Sequence, residues 1–269
     1  MMLMWVFTAI AIISDALTCI YRNLVHGWQE TWIAILLFAG YILAYLLLYL
    51  LVFLIISRVI DQKKPVEKQS RAFRWVMEET LSLVMTFCRV RIHTEGFELI
   101  PDRRFLLVSN HRSCFDPMVC LTAFRGKDVS FIAKPETFRL PWVGGIIHKC
   151  CFLPMDRDNT RRALQTVNAA AKLIKRGEVS IGIYPEGTRA KTGRLQEFHA
   201  GSFQIAKKAD VPVIAVTVKN TELVAKRAPW RRTDVYIKIV GILDEDRISA
   251  MKTKEISEEV RRLMLCEID

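Results

Sequence analysis

The sequence Asn-His-Arg-Ser-Cys-Phe-Asp at residues 110–116 places a histidine and an aspartate five positions apart, between two short apolar segments. The segment before it, 105–109, is bounded by charge and indicates a buried strand, whereas the one after it starts with Pro117, a residue common in the first turn of a helix. His111 and Asp116 are therefore predicted to lie in a strand-to-helix turn. Loops at such places on a rigid scaffold often carry chemistry.

His111 is a candidate general base, because a carboxylate that folds back onto an imidazole fixes its orientation and tautomer. The second ring nitrogen is then free to accept a proton. The alternative is that Asp116 only caps the helix and that His111 is a polar surface residue. This turn by itself supports both interpretations.

A second motif, Tyr-Pro-Glu-Gly-Thr-Arg at residues 184–189, also follows a short apolar segment. Arg189 could grip a phosphate with paired hydrogen bonds, while Gly187 lets backbone come close to a ligand. Glu186 could orient Arg189 or hold a hydroxyl. The alternative is a surface turn with an exposed ion pair.

Together the two motifs resemble those of the glycerolipid acyltransferases, the family that includes the 1-acylglycerol-3-phosphate acyltransferases. The His-x4-Asp spacing at 111–116 is followed about seventy residues later by the motif at 184–189. Two weaker segments occur in the family's order, an apolar strand ending in arginine at 152–157 and a valine-proline strand at 211–216. The resemblance covers roughly residues 65–245.

The resemblance implies an enzyme that moves a fatty acyl group from a thioester to the free hydroxyl of 1-acylglycerol 3-phosphate (lysophosphatidic acid), giving phosphatidic acid. Acyl-CoA or acyl carrier protein would be the co-substrate, and no metal or bound cofactor is implied. Another lysolipid or glycerol 3-phosphate could be the acceptor, since the motifs recognise a phosphate and a hydroxyl only. A lipid hydrolase that uses Ser113 is a further alternative, although the Gly-x-Ser-x-Gly elbow is absent.

By the same resemblance, His111 and Asp116 are the predicted catalytic residues. The predicted substrate-binding residues all follow predicted strands, and they are Glu186, Gly187, Arg189, Arg157 and Lys134. Arg157 would share the phosphate with Arg189, because a buried dianion needs more than one partner. The alternatives are an ion pair for Arg157 and simple solvation for Lys134. His199 is predicted to be a polar residue in the first turn of a later helix.

The N-terminal part of the chain has the composition of a membrane region. Residues 32–56 carry no charged side chain and are long enough to span a bilayer, with Trp28 and Trp32 at one end, where aromatic anchors are expected. Residues 1–21 are predicted to be either a second span or a membrane-embedded helix, because the apolar run 1–13 is too short to cross by itself.

Basic residues set the predicted orientation. Arg22 alone precedes the span, whereas six basic residues follow it: Arg58, Lys63, Lys64, Lys68, Arg71 and Arg74. The positive-inside rule then predicts that the chain after the span lies on the cytoplasmic side. The predicted parts are a membrane region at 1–64 and a cytoplasmic acyltransferase domain at 65–269, on the cell membrane or another membrane. The net charge of +11 suits anionic membrane lipids. Nucleic acid is not an expected partner, because no recognition fold is apparent.

Segments with strand patterns alternate with helical ones from residue 90 onward. This alternation predicts an α/β fold with a largely parallel sheet covered by helices on both faces, preceded by the transmembrane segment. The candidate residues should gather at the strand ends. Seven cysteines without paired spacing argue against a disulfide framework and against a zinc site.

Overall fold

The computed structural model describes residues 2–22, 24, 27, 30–62, 64–190 and 194–268. The chain divides into two compact units, Met1–Asp61 and Gln62–Asp269. Trp28 and Lys63, used above as an anchor and a flanking charge, lie outside the described residues.

Helices and strands alternate through most of the second unit. The helices are α1 (Met2–Arg22), α2 (Thr31–Val59), α3 (Arg71–Phe87), α4 (Asp116–Ala123), α5 (Pro135–Phe138), α6 (Gly144–Lys149), α7 (Thr160–Lys175), α8 (Gln204–Ala209), α9 (Val224–Arg227), α10 (Glu245–Ala250) and α11 (Thr253–Ile268). The strands are β1 (Val90–Glu95), β2 (Leu106–Ser109), β3 (Val129–Ala133), β4 (Leu153–Pro154), β5 (Ser180–Ile183), β6 (Val213–Lys219) and β7 (Thr233–Leu243).

The first unit consists of α1 and α2. Both helices are long and apolar enough to cross a membrane, judged by length and composition alone. Polar side chains join them in pairs: the Ser14 and Tyr45 hydroxyls are 2.7 Å apart, and the Thr18 and Tyr41 hydroxyls are 2.5 Å apart. The two pairs satisfy polar groups that would otherwise face an apolar surrounding.

The seven strands form one sheet in the order β1-β7-β6-β2-β5-β3-β4. Neighbouring strands from β6 to β4 are parallel, whereas β7 is antiparallel to β6 and β1 is parallel to β7. The prediction of a largely parallel α/β sheet is therefore confirmed, with two reversed strands on one side. The reversal follows from the short connection between β6 and β7, which contains no helix long enough to cross the sheet.

Helices cover both faces of this sheet. On one face, α7, α8 and α11 pack on alternate strand residues, among them Leu106 and Val108 of β2. The residue between them, Leu107, is fully buried on the opposite face, where α3 packs against α4 and both helices contact β1. The sheet is thus the middle layer of a three-layer arrangement.

Arg74, one of the six basic residues counted after the span, is buried. Only 5% of the residue is exposed, and its guanidinium donates to the Val129 carbonyl, the Ser130 hydroxyl and the Cys150 carbonyl at 2.7, 2.7 and 3.2 Å. Burial lowers the pKa of Arg74. Arg74 therefore ties α3 to the sheet and is not available to lipid headgroups.

The carboxyl ends of the parallel strands lie at one edge of the sheet. His111 follows β2, Lys134 follows β3, Arg157 follows β4 and the motif at 184–189 follows β5. Parallel α/β sheets bind ligands at this edge. We call it the site edge.

Candidate active site

The His111 imidazole and the Asp116 carboxylate are in direct contact, with 2.7 Å between Nδ1 and Oδ2. Asp116 is fully buried, and its Oδ2 also accepts the backbone N–H groups of Arg112 and Ser113 at 2.6 and 2.7 Å. The Thr221 hydroxyl bonds to Oδ1. Three of the carboxylate's partners therefore come from its own turn, and the fourth comes from the segment after β6.

These contacts determine the tautomer of the imidazole. A carboxylate that accepts N–H groups on every side requires a proton on the facing nitrogen of His111, so Nδ1 donates and Nε2 keeps its lone pair. The N–H groups of Arg112 and Ser113 are already engaged by Asp116, and neither is free to stabilise an oxyanion. The turn thus presents one proton acceptor, Nε2 of His111.

Tyr184 covers one face of the imidazole. The ring centroids of His111 and Tyr184 are 4.3 Å apart with an angle of 19° between the planes, and Phe131 stacks on Tyr184 at 5.2 Å and 11°. The Tyr184 hydroxyl is buried against the Cys120 thiol but has no hydrogen bond of good geometry among the described atoms. Burial raises the pKa of Tyr184 well above its usual value and that of Cys120 to about 12. The stack prevents the imidazole from tilting.

Glu186 connects the two sequence motifs. Its Oε1 accepts the backbone N–H of His111 at 2.7 Å, and its Oε2 accepts the N–H of Gln196 at 3.0 Å. The His111 carbonyl in turn accepts the N–H of Ala190 at 2.8 Å. Burial raises the pKa of Glu186, and the two N–H groups partly offset that rise. The predicted role of Glu186 in substrate binding stays a prediction; in the structure it holds the two loops together.

Gly187 lies where the motif loop meets the side chains of His199 and Arg157. Its φ of +76° is left-handed, and a Cβ at this position would lie 2.9 Å from Nε2 of His199 and 3.5 Å from Nη1 of Arg157. Glycine therefore provides both the backbone conformation and the room for these side chains. The backbone N–H of His199 donates to the Pro185 carbonyl at 2.9 Å, which fixes His199 beside the loop.

The remaining two predicted residues are exposed at the site edge. The Arg189 side chain is exposed, while its carbonyl accepts the Gln196 side-chain amide at 3.5 Å. Lys134 is exposed and immediately precedes α5. Within the described part of the chain, neither side chain has a hydrogen bond to the His111 cluster, so their predicted roles stay predictions. The same described residues contain no group of three or more His, Cys, Asp or Glu placed to hold a metal ion.

A cavity of about 520 Å³ opens beside the motif loop. Arg157, His199 and Gly187 line its polar part, and its apolar walls come mainly from α7 and β5: Ala163, Leu164, Val167 and Ile183. Tyr184 also lines it, so the ring stacked on His111 borders the cavity. The cavity combines a guanidinium and an imidazole with apolar walls, as an amphiphilic ligand requires. Sequence reasoning assigned no role to Tyr184, although it is the first residue of the second motif, and it predicted His199 only as a polar residue in a helix turn.

Comparisons with known proteins agree with this arrangement. Residues 91–219 match the family model described as Acyltransferase. The chain is 31% identical over 153 residues to the chloroplastic 1-acyl-sn-glycerol-3-phosphate acyltransferase LPAT1 of Arabidopsis thaliana, covering 56% of this chain and 42% of that protein. It is 24% identical over 200 residues to the 1-acyl-sn-glycerol-3-phosphate acyltransferase of Saccharomyces cerevisiae, covering 73% and 63%. The chain thus spans less than two thirds of the length of these relatives.

A solved structure shares the fold. The crystal structure of the 1-acyl-sn-glycerophosphate (LPA) acyltransferase PlsC from Thermotoga maritima superposes with a TM-score of 0.62 at 26% identity, covering 82% of this chain and 87% of that one. The match includes the mostly parallel sheet, and the family model spans the strands that carry both motifs. Motifs, fold and relatives therefore agree, and over residues 91–219 the chain is similar to the glycerolipid acyltransferases.

Proposed function

We propose that this protein transfers a fatty acyl group from a thioester, either acyl-CoA or acyl carrier protein, to the free hydroxyl of 1-acylglycerol 3-phosphate. The products are phosphatidic acid and the free thiol carrier. The observation that carries the proposal is the buried Asp116 carboxylate, which fixes the His111 imidazole with one unprotonated nitrogen. The names of the relatives supply the substrate class.

The chemistry needs a base more than it needs an acid. A departing thiol has a pKa of about 8.5, so a thiolate leaves without much assistance. The attacking alcohol, in contrast, must lose its proton. Nε2 of His111 takes that proton as the hydroxyl oxygen bonds to the thioester carbonyl carbon, and Asp116 stabilises the imidazolium that forms. The carbon–sulfur bond then breaks, and the imidazolium returns the proton to the thiolate.

The phosphate of the acceptor would bind beside the motif loop. Arg157 and Gly187 adjoin each other there, and Arg189 follows on the same loop. Two guanidinium groups can neutralise a dianion with paired hydrogen bonds, and the left-handed glycine leaves its backbone open to the phosphate. Lys134, exposed at the same edge of the sheet, is a further cation for this group. The acyl chain of the acceptor suits the apolar walls of the cavity.

We also propose that α1 and α2 anchor the protein in the cell membrane or another membrane, with the second unit on the cytoplasmic side. Two apolar helices and the basic residues after α2 support this orientation. Membrane lipids and the lysolipid acceptor would then be available in the same layer.

The test is thiol release from an acyl thioester by the detergent-purified protein, with and without 1-acylglycerol 3-phosphate. His111→Ala is expected to lower kcat by about 100-fold to 10,000-fold, the usual contribution of a general base. His93→Ala is a matched control, because His93 also contacts an aspartate and stacks on a tyrosine, but on the edge strand β1. It should keep its activity.

Each other result has a clear meaning. Thiol release without an acceptor would indicate a hydrolase instead. Release only with another lysolipid or with glycerol 3-phosphate would correct the acceptor. Activity of His111→Ala near that of the unchanged protein would contradict the base assignment.

A further inference from the structure

Two exposed tryptophans flank the candidate site along the site edge. Trp142 lies in the connection between α5 and α6, which follows β3, and Trp230 lies in the connection between α9 and β7, which follows β6. In the sheet, β6 and β3 lie on opposite sides of β2, the strand that leads to His111. The chain then crosses to the opposite edge of the sheet in α6. The carbonyl of Cys150, directly after α6, accepts a hydrogen bond from the Ser130 hydroxyl near the start of β3. Both connections therefore belong to the site edge.

The aromatic side chains in these connections are unusually open to solvent. Trp230 is 84% exposed and Trp142 is 53% exposed, with Leu140 beside the latter at 50%. Phe87, at the end of α3, is 71% exposed, and Arg89, two residues later, donates its guanidinium to the Trp230 carbonyl at 3.5 Å. Exposed tryptophan is typical of a protein surface that meets the headgroup layer of a membrane.

Cations surround the Trp230 side of this surface. Lys226, Arg227, Arg231 and Arg232 are all exposed. Arg232 pairs with Asp234 at 2.9 Å, whereas the described residues give the other three no carboxylate partner. An anionic surface would therefore meet several uncompensated positive charges here.

We propose that residues 139–143 and 226–232, the two docking segments, bind the headgroup layer of a bilayer that contains anionic phospholipid. Tryptophan favours the membrane interface, and lysine and arginine beside it bind lipid phosphates. The core of a protein–protein interface is depleted of charged residues, whereas Trp230 stands among exposed basic side chains. Docking on both sides would hold His111 at the depth of a lysolipid headgroup. It adds to the anchoring by α1 and α2 and requires no acyl transfer.

Site-specific photo-cross-linking tests this in the whole chain, reconstituted in vesicles of phosphatidylcholine with or without phosphatidylglycerol. Benzoylphenylalanine is introduced as Trp230→benzoylphenylalanine, Trp142→benzoylphenylalanine or Leu99→benzoylphenylalanine, and lipid adducts are counted by mass spectrometry. Leu99 is the matched control, because it is 56% exposed but follows the carboxyl end of β1. Its neighbour Phe97 contacts Phe124, which in turn contacts Phe105 at the start of β2. It therefore lies away from the site edge.

We expect lipid adducts at positions 230 and 142 to exceed those at 99 by about tenfold in phosphatidylglycerol vesicles. Adducts at 230 should fall about fivefold for each basic residue removed, the contribution of one such residue near an anionic surface. Arg231→Glu should therefore lower the adducts at 230 and leave Tm unchanged. Equal adducts at 99, no dependence on phosphatidylglycerol, or adducts to a second copy of the chain would overturn the proposal. The same adducts are expected with His111→Ala, which separates docking from catalysis.

Discussion

Tyr184 allows a test of how the His111 imidazole is held, because its ring and its hydroxyl have different surroundings. The ring stacks on His111 at 4.3 Å, whereas the buried hydroxyl lies against the Cys120 thiol and has no hydrogen bond of good geometry among the described residues. Tyr184→Phe removes the hydroxyl and keeps the ring. Tyr184→Leu removes both, with a side chain that is not flat.

The two substitutions should move stability in opposite directions. A buried hydroxyl without a proper hydrogen bond costs about 1 to 3 kcal/mol, and the thiol contact recovers a part of that. Tyr184→Phe should therefore raise the free energy of unfolding by about 1 kcal/mol, which corresponds to about 2 to 4 °C in Tm for a unit of this size. Tyr184→Leu loses about 0.5 to 1.5 kcal/mol of stacking and leaves unfilled space between His111 and Phe131.

The effects on catalysis should separate in the same way. With the ring retained, kcat of Tyr184→Phe should stay within about twofold of the unchanged protein. If the stack contributes about 1.4 kcal/mol to holding Nε2 of His111 toward the attacking hydroxyl, kcat of Tyr184→Leu should fall about tenfold. The acceptor KM should change little. Initial rates of thiol release at saturating acceptor measure kcat, and thermal unfolding of the same samples measures the folded fraction.

Two results would refute this reasoning. An equal loss of kcat in both variants would mean that the site needs the hydroxyl and not the ring. Full kcat in Tyr184→Leu, at an equal folded fraction, would mean that Asp116 alone orients the imidazole.

Two further substitutions address the turn and the motif loop. Asp116→Asn should lower kcat by about 100-fold or more. The imidazolium would lose its buried counter-charge, and three N–H donors would face a neutral amide. Single-turnover rates within threefold of the unchanged protein would argue against this. Gly187→Ala should lower the free energy of unfolding by about 1 to 2 kcal/mol, the cost of a left-handed residue with a Cβ. The same substitution should raise the acceptor KM by displacing His199, and an unchanged Tm and KM would contradict it.

The fold around His111 could be predicted because its signals are local. A buried apolar run, a polar turn and a proline at the helix start lie within 105–117, and β2 and α4 form there. The directions of β1 and β7 could not be predicted in this way. Strand direction depends on the length of the connections, and the segment between β6 and β7 carries a three-residue 3-10 helix and the four-residue helix α9.

Arg74 shows that a usable signal was overlooked. Charge alone placed it among the residues flanking the span. However, it precedes the buried residues Met77 and Leu81 of the same helix by three and seven positions, so it lies on their face. A basic residue on the apolar face of a helix is expected to be buried with partners, as this one is.

The contacts that complete the site lie beyond the reach of local patterns. His111 and Asp116 are five positions apart and could be paired by eye, whereas the Glu186 bond to His111 joins residues 75 positions apart and the Thr221 bond to Asp116 joins residues 105 apart. Such contacts depend on the register of β2 against β5 and β6. Register follows from packing of the assembled sheet and not from one segment.

The structure gives a physical reason why the two motifs are informative together. The backbone N–H of His111 is bound by Glu186, its carbonyl by Ala190 and one face of its ring by Tyr184, and all three belong to the segment after β5. Its own turn contributes Asp116 on Nδ1. Among the contacts described, Nε2 is the one polar atom of His111 left without a partner. The first motif therefore supplies the proton acceptor, and the second determines where that acceptor is held.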